Sequence, residues 1–147
     1  ESLDAYRGMT GAPAHIHASD ADFLTDPAKN LSVMLGGARS ASAAEATLED
    51  GQALPFGSGF IKVIHTPGHT KGGACFLFGD ALFTGDTLFS DSVGRTDLPG
   101  GSHDELMGSI RNRILPLGGG VRIYPGHGVG CLIGELGSRN RFIAPGP

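Results

Sequence analysis

The sequence predicts a mixed α/β fold with helices packed on sheets. Strand-like apolar runs alternate with helical segments after an antiparallel hairpin, and three of the runs end in a glycine turn bearing an imidazole or a carboxylate. Run 61–65 leads into Thr66-Pro67-Gly68-His69, run 81–83 into Thr84-Gly85-Asp86, and run 121–124 into Pro125-Gly126-His127. Buried strands that deliver such groups on tight turns can gather distant segments around one metal ion.

Residues 1–9 read as the tail of an amphipathic helix, with Leu3, Tyr6 and Arg7 at helical spacing and Gly8 and Gly11 stopping it. A short strand is expected over 13–17. Ser19 or Asp20 is expected to cap a brief helix through Phe23 and Leu24, closed by Asp26-Pro27. The stretch 29–42 is irregular and rich in small residues. Strands are expected over 46–48 and 60–65, separated by the Asp50-Gly51 turn and a Gly57-Ser58-Gly59 loop. Runs 74–78 and 81–84 flank Gly79-Asp80, a two-residue hairpin connection needing a positive φ at its first position. A long loop, 87–101, precedes Ser102-His103-Asp104-Glu105, which offers Ser at the N-cap and Glu three residues on. The helix opened there carries Leu106, Met107, Ile110, Ile114 and Leu115 on one face and turns Arg111 and Arg113 to solvent. Residues 121–124 form the last expected strand and 132–136 a final short helix.

Composition narrows the function classes. A chain of 147 residues suits a single domain with a buried core. Its net charge of −4, with interleaved signs, gives little electrostatic support for nucleic acid or an acidic membrane surface as a partner. Apolar residues come in short runs, far from the ~20 of a membrane span. Cys75 and Cys131 lack CxxC spacing and read as free, buried thiols in a reducing, cytoplasmic compartment. The 25 glycines cluster at run ends without a collagen period, which suits an enzyme whose site is built on turns.

His69, Asp86 and His127 are the candidate ligands, because all three occupy the same strand-end setting. An ionised Asp86 has two acceptor oxygens, so it can ligate one ion or bridge a pair ~3.5–4 Å apart. His15 and His17 share a strand face but have no glycine turn, and are expected to pack or meet solvent. His65 is expected to brace its turn, and His103 to be exposed in the first helical turn. Arg95, in Gly94-Arg95-Thr96-Asp97, has two open readings: a clamp for a substrate carboxylate, or an internal pair with Asp97 that stiffens the loop.

Taken together, HTPGHTKG (65–72), TGDTLF (84–89), VGRTDLPGGSH (93–103) and YPGHG (124–128) resemble the metallo-β-lactamase superfamily, and within it the glyoxalase II-like (hydroxyacylglutathione hydrolase-like) branch. The resemblance covers nearly the whole chain. It implies an αββα sandwich with metals at the sheet edges, His69 on a first metal, Asp86 bridging both, and His127 on a second. It further implies two zinc ions, or iron or manganese, and Arg95 as the basic contact to a thioester substrate such as an acyl-glutathione. Aspartate at position 86, where many true β-lactamases carry cysteine, points away from β-lactams. Asp97 departs from the tyrosine of some glutathione-thioester hydrolases.

The family's HxHxDH motif has no counterpart, and His15-Ile16-His17-Ala18-Ser19-Asp20 is not a displaced copy. The chain is therefore expected to be the C-terminal two thirds of the domain, an N-terminally incomplete sandwich. Completion of the fold by another chain, or a naturally degenerate protein, would also account for the gap. An uncovered sheet would invite a homo-oligomer or a complementing N-terminal segment. The leading expectation is a metal-dependent thioester hydrolase in the intact protein. The alternatives are a persulfide dioxygenase with one Fe(II) on a two-His, one-Asp set, and an inactive fragment or scaffold.

Overall fold

Gly79-Asp80 makes the expected hairpin, with Gly79 at φ 60°, and the rest of a six-stranded sheet is laid out around it. The computed structural model describes residues 2–144, in two units, one ending at Leu48 and the other starting at Glu49.

In the first unit, helix α1 (Ser2–Thr10) runs through Gly8 and stops at Gly11, whose N–H bonds to the Arg7 carbonyl with φ 68°. Gly8 keeps helical geometry, so only Gly11 acts as the stop. Strand β1 (His15–His17) pairs in parallel with β2 (Ala46–Leu48). Arg7 ties the helix to the approach of β2, donating to the Ser42 and Ala43 carbonyls and to Glu45, which also accepts the Ala14 N–H. The turn after β1 corrects the expected cap. The His17 imidazole, through Nδ1, accepts the Ser19 N–H of a 3₁₀ turn over Ala18–Asp20, and α2 (Asp22–Thr25) then ends at Asp26.

The second unit is a single sheet in the order β3-β4-β5-β6-β7-β8. Its strands are β3 (Ala53–Phe56), β4 (Gly59–His65), β5 (Ala74–Phe78), β6 (Ala81–Gly85), β7 (Arg122–Pro125) and β8 (Cys131–Leu132). Two of these lie where no strand was expected. β3 interrupts its pattern with Pro55, tolerable because it is an edge strand. β8 has only two residues and is defined by pairing with β7. Within this sheet β6 and β7 are the parallel pair, and the chain between them contains the loop from Thr87, helix α3 (His103–Ser109) and a wide π-helical turn over Ile110–Ile114.

Register puts Ile64, Cys75, Leu82 and Ile123 on one face of this sheet, where they meet Leu106, Met107, Ile110 and Ile114 in the core. That is the predicted apolar helix face, and Ser102 caps it by accepting the Glu105 N–H. The other sheet face exposes Phe56, Phe78, Phe83 and Tyr124, with Phe83 stacked on Tyr124. The last segment is a 3₁₀ turn over Ile133–Glu135 running into α4 (Leu136–Arg139). Both cysteines are free and buried, and burial pushes the Cys75 thiol up from its ordinary pKa. Among the described residues no helix is long and apolar enough to cross a membrane.

Candidate metal centre

His69 sits on a loop held at three points. His65 Nε2 lies 2.9 Å from the Lys71 carbonyl, which can only accept, so the imidazole donates and braces the turn. The Ser109 hydroxyl donates to the Pro67 carbonyl at 2.8 Å, and the Ser102 N–H to the Gly68 carbonyl at 2.8 Å. Gly68 has φ 138°, and a Cβ there would run into the backbone of Leu106, so the Pro-Gly turn can lie flat on the start of α3 only with glycine at its second position.

Asp86 follows a bulge. Phe83 pairs with Tyr124 and Gly85 with Pro125, so Thr84 is an extra residue in β6. Thr84 is fully buried, and its hydroxyl donates to the Leu88 carbonyl at 2.7 Å, which bends the chain out of the sheet. Beneath it, the Thr66 hydroxyl lies 3.4 Å from that of Thr87 and 3.3 Å from Cys75 Sγ. His127 follows β7 through Gly126, whose N–H bonds to the Gly85 carbonyl at 2.8 Å. A Cβ at Gly126 would come within 2.7 Å of Asp86 Oδ1.

The three predicted side chains meet at Asp86. His127 Nε2 lies 3.7 Å from Oδ1, and His69 Nε2 lies 4.0 Å from Oδ2. Both separations exceed a hydrogen bond. His69 Nδ1 is 2.8 Å from the Arg95 carbonyl, so it carries the proton and leaves the Nε2 lone pair facing the carboxylate. The His127 ring lies on Phe89, with centroids 4.5 Å apart and planes at 32°. These residues, with Val93, Gly94 and Arg95, line a cleft of about 270 Å³.

In kind, these donors suit a divalent metal: two imidazoles, one with its lone pair aimed inward, on opposite oxygens of one carboxylate. In number they are short. Among the described residues no group of three or more His, Cys, Asp or Glu side chains stands so as to hold one ion. Each half of the site offers one imidazole and one carboxylate oxygen, so a catalytic zinc needs ligands beyond them.

Arg95 is held by Asp97, Nε to Oδ1 at 2.8 Å and Nη2 to Oδ2 at 2.6 Å. This is the internal pair that the sequence left open, and it lowers the Asp97 pKa to about 2. His15 and His17 lie on β1 in the first unit, and His103 is exposed in the first turn of α3. Three contributors were given no role at the site by the sequence reading. Phe89 supports His127. Gly94 passes so close that a Cβ would strike the Asp86 carbonyl and press on the His69 side chain. Asn140, 1% exposed, donates through Nδ2 to the Phe89 and Ser92 carbonyls and so pins the loop that carries Phe89. Phe89 shares its loop with the apolar Leu88, Val93 and Leu98, so its sequence setting gave no distinct signal for the first. Asn140 lies 51 residues further on and left none.

Comparison with known proteins agrees with this fold. An uncharacterized protein of Mycobacterium leprae, ML0493, is 39% identical over 142 residues, covering 90% of this chain and 65% of its own. The chain thus spans about two thirds of the length of that relative. Hydroxyacylglutathione hydrolase GloC of Haemophilus influenzae is 37% identical over 97 residues, 65% of this chain and 46% of the relative. The crystal structure of BLEG-1 B3 metallo-beta-lactamase superposes with TM-score 0.91 at 37% identity, over 98% of this chain and 71% of the other. That of TTHA1623 in a di-iron-bound form superposes with TM-score 0.84 at 32% identity, over 96% and 70%. The model of the metallo-beta-lactamase superfamily matches residues 2–134, and with the fold and the Asp86-centred donors on the same chain, the protein belongs to that superfamily.

Proposed function

We propose that this protein hydrolyses thioesters, acyl-glutathione among them, at a two-metal centre held on Asp86 between His69 and His127. The observation that carries the reading is the Asp86 carboxylate, with one imidazole nitrogen facing each oxygen. When bound, a pair of divalent ions supplies Lewis-acid polarisation of a carbonyl and lowers the pKa of water from ~15.7 toward ~7. The chain's own residues do the positioning. The Arg95 carbonyl fixes the tautomer and direction of His69, Phe89 holds the plane of His127, and Asp86 is shared by both. Phe89 and Val93 supply an apolar wall to the cleft. No serine or cysteine nucleophile is required.

Zinc is the metal proposed, by analogy with relatives named as zinc-dependent hydrolases, and the two free buried thiols support a reducing, cytoplasmic setting. The hydroxyacylglutathione hydrolase relative supports glutathione thioesters, while the Arg95–Asp97 pair works against them. A substrate carboxylate would first have to displace Asp97.

The Gly94-Arg95-Thr96-Asp97 sequence also keeps a persulfide dioxygenase in view, with one Fe(II) and His127 as a bystander. His127 stands nearer to Asp86 than His69 does, which favours a role for both imidazoles.

The test is hydrolysis of an acyl-glutathione, an uncharged acyl thioester and a cephalosporin by the metal-loaded protein, with metal content measured alongside. Two equivalents of metal and thioester turnover support the reading. One iron with oxygen uptake on a persulfide, or turnover of the cephalosporin alone, would replace it.

A further inference from the structure

A second cleft, of about 340 Å³, has His127 in its lining. It shares Phe89, Ser92 and His127 with the cleft over Asp86, so the two meet at the Phe89–His127 pair. Its remaining lining includes Asp91 and Val129, the latter 67% exposed. A substrate whose reacting carbonyl lies at Asp86 therefore has two limbs to fill, one toward Arg95 and one past His127.

The two limbs differ in charge. On the first, Arg95 is cancelled by its bidentate pair with Asp97, and its backbone carbonyl is engaged by His69. On the second, the cleft is lined by hydroxyls, glycine, Val129, Phe89 and the His127 imidazole, with Asp91 as its carboxylate. Asp91 is exposed, and neither an ion pair nor a hydrogen bond links its side chain to any other described residue. An unpaired carboxylate in the lining of a partly apolar cleft attracts a cation and repels an anion.

We propose that this second limb is a specificity subsite for a cationic end group on a short apolar stem. The favoured substrates would then be thioesters carrying an ammonium group, such as aminoacyl thioesters, over those ending in a carboxylate. The stem lies against Val129 and Phe89 and the cation faces Asp91. This assignment rests on the thioester reading of the Asp86 centre and names the substrate class within it.

Three thioether probes of similar size, which cannot be hydrolysed, test it: one ending in trimethylammonium, one in hydroxyl and one in carboxylate. Each is titrated into the protein in zinc-containing buffer while backbone amide NMR shifts are followed. The trimethylammonium probe is expected to bind about five-fold tighter than the carboxylate probe, the scale of one exposed ion pair. Its shifts are expected at Ser90, Asp91, Ser92, Gly128 and Val129. Asp91→Asn should bring the two affinities within about two-fold, while Asp80→Asn, in the β5–β6 turn, should leave the preference intact. Equal affinities in the unaltered chain, no binding of the cation, shifts outside the cleft, or a preference that survives Asp91→Asn would each overturn the subsite. Hydrolysis of an uncharged acyl thioester, measured separately, reports on the thioester reading alone.

Discussion

Asp86 presents one oxygen to each of two imidazoles at 3.7 and 4.0 Å, distances that no direct hydrogen bond fills. Removing the carboxylate takes away a donor common to both half-sites. Asp86→Ala is expected to abolish metal uptake, read by calorimetric titration with zinc, and turnover with it. His15→Ala, on β1, is expected to change neither measurably. Gly94 gives a sharper test of packing, because a Cβ there strikes the Asp86 carbonyl and crowds His69. Gly94→Ala is expected to weaken zinc affinity about ten-fold or more while the rest of the fold persists, in the range seen when groups supporting a metal ligand are removed. Unchanged zinc affinity would show that the loop has room to retreat.

At the scale of elements, the turn bearing His69 depends on α3 and on Asp50. The Asp50 carboxylate accepts the His65 N–H at 2.9 Å and pairs with Arg113 at 2.6 and 2.8 Å, and these contacts hold it below the ordinary carboxylate range. A lowered folded pKa contributes stability that is complete above the unfolded value, ~3.9, and lost as pH falls through the folded one. Urea melts of Asp50→Asn should therefore show lower stability than the unaltered chain at pH 7 and a smaller loss on going from pH 5 to pH 3. An equal acid loss in both proteins would remove Asp50 from this role. Asn140 ties α4 to the Phe89 loop through two carbonyls, and Asn140→Ala is expected to cost about 1–3 kcal/mol by leaving buried acceptors unpaired.

Element by element, local signals were readable where they were self-sufficient. Gly79-Asp80 needs only its own backbone to turn, and the Leu106–Ile114 spacing needs only one helix to define a face. β3 and β8 were missed because pairing defines them. Pro55 breaks the pattern of β3, and Cys131-Leu132 is too short to have one. The His17 cap replaced Ser19 or Asp20 because an imidazole nitrogen happened to lie within reach of the Ser19 N–H.

At the scale of the whole molecule, the same distinction governs the site. His69, Asp86 and His127 were legible because each ends a strand of one sheet, and β6 and β7 lie side by side, bringing Asp86 and His127 together. Phe89, Gly94 and Asn140 were not, since their roles depend on how the long loop folds back. Arg95 shows the limit most directly: its sequence allowed two partners, and the fold paired it with Asp97. The Asp97 side is a bidentate, exposed pair, so anionic substrates meet a neutralised arginine.

The central claim is that metal ions bind on Asp86 between the two imidazoles. The most direct measurement is an anomalous-difference map from crystals of this protein grown with zinc. Density is expected bonded to an Asp86 oxygen and to His69 Nε2, His127 Nε2 or both. Zinc bound elsewhere with these three side chains free, or either imidazole turned away from Asp86, would contradict it.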